Sequence, residues 1–322
     1  MPGNRNRWRG TAGAVVIGLA TVLVASGPAS ARGPAPGEAE LDGAAVARLV
    51  TDFAERAGYP GVAVAITKGD QVVWTAGYGR DSSGAAVTDT TPMPLAPVSK
   101  SFTALAVLQL VEAGRVQLDA PVRDYLPDFR IADRRGSSIT VRQLLNHTSG
   151  ITDRTLAEKS LPQPRSLAAA VVRARAATLA AEPGTTHAYT NTNYHLAARL
   201  VEVVANEPFS DYLRRHVFEP LGMRNTVHID RTPADLPPEV SRGHVYAYGA
   251  SVPATEPDRF VAGSDGVIST ARDMAQWLIV QSNTGRAADG TRLLSAQGMA
   301  SPHVSSATTR PRWSSGWRWR PC

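Results

Sequence analysis

The run Val98 to Gly114, VSKSFTALAVLQLVEAG, limits the architecture more than any other stretch. Val98, Phe102, Leu105 and Leu108 fall on one helical stripe, and the other faces are mostly Ala, Val and Leu. A helix that is apolar all round has no face to give to water, so other elements must enclose it. The chain's 322 residues and 43% hydrophobic content are enough for such a core, as one big domain or a domain with a subdomain. Pro97 suits the first helical position and Gly114 the residue just past the end, so the helix is predicted over Pro97 to Ala113. Cys322 is the only cysteine, so the core must hold without an internal disulfide.

Around this helix the patterning alternates between strand and helix signals. Gly43 to Ala57 has helical spacing at Val46, Leu49, Val50 and Phe53. Two β-rich runs, Val62 to Thr67 and Gln71 to Tyr78, flank Lys68-Gly69-Asp70 and read as a hairpin. Thr140-x-x-Gln143 is a capping box opening a short helix through Asn146. Further helices are expected at Ser166 to Ala181, Asn193 to Ala205 and Phe209 to Val217. Another, capped by Thr270-x-x-Asp273, should run to about Gln281. There is no internal repeat. This order predicts an α+β fold, an antiparallel sheet flanked by helices with a helical subdomain.

The first 31 residues read as a signal peptide. Arg5, Arg7 and Arg9 form a basic start, Gly13 to Ser26 is apolar, and Ala29-Ser30-Ala31 is a small-x-small cleavage site, with cleavage predicted after Ala31. The apolar core is short for a membrane span, so no stable span is expected after cleavage; an uncleaved anchor is the alternative. Residues 32–42 are a Pro/Gly/Ala linker, and residues 43–322 are the predicted domain. The mature chain is therefore expected to be secreted.

Composition also narrows the function. Net charge is +6, and losing the three leader arginines leaves about +3. Lysine occurs only at 68, 100 and 159, and no basic patch marks a nucleic-acid partner. The seven histidines show no H-E-x-x-H or other tight pairing, so neither metal nor cofactor is expected. Nothing in the sequence sets an oligomeric state.

Six stretches carry a resemblance. They are GVAVAITKGDQVVWTAGYG, PVSKSFTALAVLQLVEAGRVQLDAPVRDYLPDF, ITVRQLLNHTSGI, YTNTNYHLAARLVEVV, FEPLGMRNT and AGSDGVISTARDMAQWL, in order from about Val46 to Met299. On these the chain resembles the serine β-lactamase and penicillin-binding-protein superfamily, in its class C β-lactamase, esterase and D-alanyl-D-alanine peptidase branch. The resemblance implies acyl transfer on a cell-wall peptide, ester or β-lactam-like small molecule. It implies a first motif S-x-x-K, in which a lysine one helical turn after the serine activates it. It also implies a second motif Tyr-x-Asn, here Tyr189-Thr190-Asn191, in which the tyrosine acts as or assists the base and the asparagine orients substrate. A phenol with a pKa of about 10 needs a cationic neighbour for that task, and Lys100 would be it. Without the resemblance, Tyr189 and Asn191 read as a buried tyrosine and a helix cap. His147 reads as a loop residue packing beneath the site, and Asp265-Gly266 and Asp273 as turn and cap.

Two departures alter the expectation. Aligning the motif on Lys100 puts Pro97 at the nucleophile position, and no S-x-x-K occurs anywhere in the chain. Ser99 and Ser101 adjoin Lys100, about 100° round the helix from it, and Ser99 lies about 3 Å farther along the axis than Pro97. A misplacement of 1 Å can cost about a hundredfold, so Ser99 is a poor substitute. Proline at the first turn costs the helix nothing, so fold and chemistry separate. The second departure is at the end. Ser315-Gly316-Trp317 resembles the segment before the family's third motif, Lys/His-x-Gly, and the motif, the final strands and the last helix are not found. The tail TTRPRWSSGWRWRPC, basic and rich in Trp, reads as a truncated or frameshifted end rather than a nucleic-acid or membrane contact. The sequence thus predicts a catalytically impaired relative of the serine hydrolases, a pseudoenzyme. The alternatives are an active hydrolase using a non-standard serine, or a non-catalytic binding module for cell-wall peptides.

Overall fold

The structure is a computed structural model describing residues 41–156, 160–247 and 249–300. The leader, most of the linker and the tail from 301 onward lie outside the described residues. Helix α1 (Gly43–Ala57) leads into a hairpin of β1 (Gly61–Lys68) and β2 (Gln71–Gly79). β3 (Met93–Pro94) and a 3-10 turn (Ala96–Val98) precede the central helix α2 (Ser99–Glu112). Then come α3 (Val141–Leu145), α4 (Leu167–Ala174), α5 (Asn191–Ala205) and α6 (Phe209–Leu213). The last third holds β4 (Val227–His228), β5 (Arg231–Thr232), β6 (His244–Ala247), β7 (Ala250–Pro253), β8 (Arg259–Phe260) and β9 (Val267–Ser269). Helices α7 (Ala271–Ser282) and α8 (Ala296–Ala300) follow.

All strand pairs are antiparallel, as predicted: β1 with β2, β9 between β3 and β4, β5 with β8, and β6 with β7. Helix α7 packs on the β1–β2 hairpin, while α5 packs on α2, α3 and α4. Helix α2 lies between these layers and is buried on every face, from Ser99 and Lys100 through Leu110. Its Phe102 is fully buried, stacked on Trp277 with ring centroids 4.0 Å apart and edge-on to Phe218 at 5.6 Å. This aromatic triad ties α2 to α7 and to the chain after α6.

Several boundaries differ from the sequence expectation. Helix α2 starts at Ser99, because Ala96 to Val98 wind as a 3-10 turn in which Pro97's missing N–H leaves nothing unsatisfied. The helix expected to reach Ala181 stops at Ala174. Beyond it, tertiary backbone bonds take over: Ala132 N–H donates to the Ala177 carbonyl and Ala180 N–H to the Gly150 carbonyl. The helix after Tyr189 begins at Asn191, two residues early, and Thr190 is its N-cap residue. In α1 the apolar stripe is only partly used, with Leu49 67% and Phe53 55% exposed. The capping box at Thr140 and Gln143 forms with both of its hydrogen bonds.

Candidate active site

Lys100 lies on the first turn of α2, 7% exposed. Its Nζ donates to Asn191 Oδ1 at 2.7 Å, to the Ser264 carbonyl at 3.1 Å and to Asp265 Oδ1 at 3.2 Å. The Tyr189 ring centre is 4.8 Å from Nζ, a cation–π distance, and the Tyr189 hydroxyl faces Asn191 Oδ1 at 3.4 Å. The three residues singled out by the sequence, Lys100, Tyr189 and Asn191, therefore meet at one point. Asn191 does not cap α5 with its side chain; that side chain turns to the lysine. Tyr189 is 49% exposed, not buried.

The entrance of α2 is where the expected nucleophile would stand. Pro97 occupies it, preceded by Ala96 at φ 49°, a left-handed backbone that a non-glycine residue rarely adopts. Such a conformation costs of the order of 1 kcal/mol or more and persists only where the surroundings impose it. Ser99 is buried at 1% exposure, and its Oγ accepts the Val267 N–H of β9 at 3.0 Å. Ser101 Oγ donates to the Val98 carbonyl at 2.7 Å. Both hydroxyls are tied to backbone groups.

His147 packs under this cluster. Its ring lies 4.7 Å from Tyr189 and 5.1 Å from Tyr194, on a residue at φ 59°. Its Nδ1 accepts from the Thr190 N–H at 3.4 Å and from Asn193 Nδ2 at 3.3 Å, because the Asn193 oxygen is engaged by Ser149 Oγ. Two donors on Nδ1 fix the neutral tautomer protonated on Nε2. Burial, then the Lys100 charge, lowers its pKa to about 4. The ring thus aligns the Tyr189–Asn193 turn from below.

Asp265 has a role beyond the turn position predicted for it. It is 8% exposed at its side chain and forms a buried ion pair with Lys100 at 3.2 Å. The turn that carries it is squeezed from two sides. Gly263 has φ +74°, and a Cβ there would lie 2.4 Å from Ala198 Cβ; a Cβ on Gly266 would lie 2.2 Å from the Ile229 carbonyl. Thr103 Oγ1 donates to the Gly263 carbonyl at 2.7 Å, His195 Nδ1–H to the Ala262 carbonyl at 2.7 Å, and Gly263 N–H to His228 Nε2 at 3.0 Å. The available signal was an acid between two glycines in a stretch shared with the resemblance, in a chain whose buried lysine needs a counter-charge. Asp273 was also more than a cap residue. Its carboxylate accepts from Asn225 N–H at 2.7 Å and Thr226 Oγ1 at 2.8 Å, tying α7 to the turn before β4.

Among the described residues there is no cluster of His, Cys, Asp and Glu able to hold a metal, and no helix long and apolar enough to cross a membrane.

A family model described as Beta-lactamase matches residues 46–322. Penicillin-binding protein 4 of Amycolatopsis lactamdurans is 31% identical over 275 residues, 80% of this chain and 69% of that protein. Protein flp of Staphylococcus aureus strain MW2 is 31% identical over 171 residues, 52% of this chain, and the match spans only 34% of that protein. Among solved structures, the octameric penicillin-binding protein homologue from Pyrococcus abyssi superposes with a TM-score of 0.66 at 25% identity, covering 80% of this chain and 59% of that one. With the antiparallel strands, the enclosed helix and the Lys–Tyr–Asn cluster in place, the chain belongs to the β-lactamase family, within the serine β-lactamase and penicillin-binding-protein superfamily.

Proposed function

We propose that this protein is an exported member of the family that forms no acyl-enzyme, and that Lys100, Tyr189 and Asn191 are the polar remainder of an acyl-transfer site. The observation that carries the reading is Pro97, a residue without a hydroxyl at the helix entrance one turn before Lys100. Acyl transfer in this superfamily needs an oxygen nucleophile there, and the neighbouring hydroxyls of Ser99 and Ser101 are both engaged with backbone groups. The buried, backbone-bonded Ser99 supports the same reading, since attack would require breaking its bond to Val267 and leaving the β9 amide unpaired in the interior. The chemistry that the remaining groups favour is non-covalent recognition of a cell-wall peptide, ester or β-lactam-like molecule: an ammonium, an amide and a phenol on one wall. The leader motif supports export, with a mature chain beginning at Arg32.

Incubation of the purified chain with fluorescent penicillin and with a fluorophosphonate, followed by denaturing electrophoresis and mass spectrometry, tests the reading. No covalent adduct is expected; stoichiometric label on any residue overturns it. Export has its own test. The secreted product should lack residues 1–31 by intact mass, and full-length chain retained with the cells would count against it.

A further inference from the structure

We infer that Asp265 is a positioning residue that holds Lys100 as a permanent ammonium, so that the amine is not available as a base whatever stands at position 97. The inference deepens the reading of the chain as non-acylating. A lysine acts as a base only through a free Nζ lone pair. Among the described residues the ammonium faces Asn191 Oδ1, the Ser264 carbonyl and Asp265 Oδ1, at 2.7, 3.1 and 3.2 Å. An ammonium carries three N–H donors and no acceptor, so this set matches its charged form. The Tyr189 ring at 4.8 Å adds a fourth preference for positive charge.

The carboxylate supplies the part of the lock that neutral groups cannot. Both side chains of the Lys100–Asp265 pair are 8% exposed, so removing the lysine proton would leave a carboxylate in the interior without its full counter-charge. Among the described residues, the cation nearest the second oxygen of Asp265 is the Arg259 guanidinium, at 4.0 Å. The backbone that carries the carboxylate is held: its turn is pinned at the Gly263 carbonyl by Thr103 and at the Gly263 N–H by His228, and it packs closely at Gly263 against Ala198 and at Gly266 against the Ile229 carbonyl.

Lys68, Lys100 and Lys159 are the only lysines, so 15N-labelled lysine gives at most three side-chain resonances, and Lys100→Arg assigns the one of interest. In the unaltered full chain at pH 7, Lys100 is expected to show a protected ammonium resonance in slow exchange with water. In Asp265→Asn, which preserves side-chain size, proton exchange at that site is expected to accelerate at least tenfold or the resonance to vanish. Absence of a protected Lys100 ammonium in the unaltered chain overturns the inference even if the variant fails to fold. An unchanged exchange rate in folded Asp265→Asn overturns it as well. Covalent labelling of the unaltered chain by penicillin or fluorophosphonate would sink the proposed function but leaves this readout intact, so the two fail separately.

Discussion

Between pH 6.5 and pH 4 the protein is expected to lose most of its stability and to unfold, through three buried histidines rather than through its carboxylates. Burial is the largest cause in each case and lowers His147 and His195 to about 4 and His228 to about 3, from an ordinary 6.5. A histidine whose folded pKa is depressed is neutral in the folded chain and protonated in the unfolded one across that window. Its contribution is therefore complete above about 6.5 and is lost as pH falls toward the folded value. Each such group is worth about 1.4 kcal/mol per pH unit, so three titrating together remove roughly 4 kcal/mol per unit. A domain holds about 5–15 kcal/mol in all, so roughly one to four units of acidification remove it, and a domain in the lower part of that range reaches the transition within this window. Asp230 works the other way, raised to about 6 by burial and by Glu202 and Asp235. Its side chain is 47% exposed, so solvent screening keeps its share small.

The geometry says what breaks. Protonating His228 Nε2 removes the acceptor of the Gly263 N–H, and protonating His147 Nδ1 removes the acceptor of the Thr190 N–H. Acid should thus loosen both walls of the Lys100 cluster before the core. Urea midpoints measured at pH 7, 6 and 5 by circular dichroism check the expectation. A midpoint that stays constant over that range would refute it.

What was legible in the sequence follows the physics of each segment. Helix α2 was legible because a run apolar on all faces has one solution, enclosure. The capping box at Thr140 was legible because its two hydrogen bonds are local. The β1–β2 hairpin was legible from its β-rich runs and the turn at Lys68-Gly69-Asp70. The helix expected to reach Ala181 was overextended because its end is decided by bonds to residues 132 and 150, which local propensity does not register. Leu49 and Phe53 kept helical spacing but not burial, since the pattern on α1 says which face is apolar and not what covers it. At the site, Lys100, Tyr189 and Asn191 came from a resemblance. Asp265 escaped because its role depends on two turns 165 residues apart in sequence coming within 3.2 Å.

Replacing Lys100 with methionine is expected to destabilise the fold by about 3 kcal/mol, at the low end of the cost of stripping one partner from a buried ion pair. Methionine keeps the apolar stem and removes the charge together with its N–H donors, so packing loss is small and the penalty falls chiefly on Asp265, with Arg259 at 4.0 Å as the next cation among the described residues, and in part on Asn191 and the Ser264 carbonyl. The double change Lys100→Met with Asp265→Asn should recover part of that loss, because the stranded charge goes with the lysine. Denaturant unfolding of the four species gives the coupling directly, expected at about 1–3 kcal/mol. Near-zero coupling would mean that the pair is solvated in practice and that Asp265 does not determine the state of Lys100. In an acylating enzyme the loss of this lysine would appear first as lost turnover. Here, with proline at the helix entrance, it should appear as lost stability, which gives a reason for a buried lysine to remain in a chain whose S-x-x-K serine position holds Pro97.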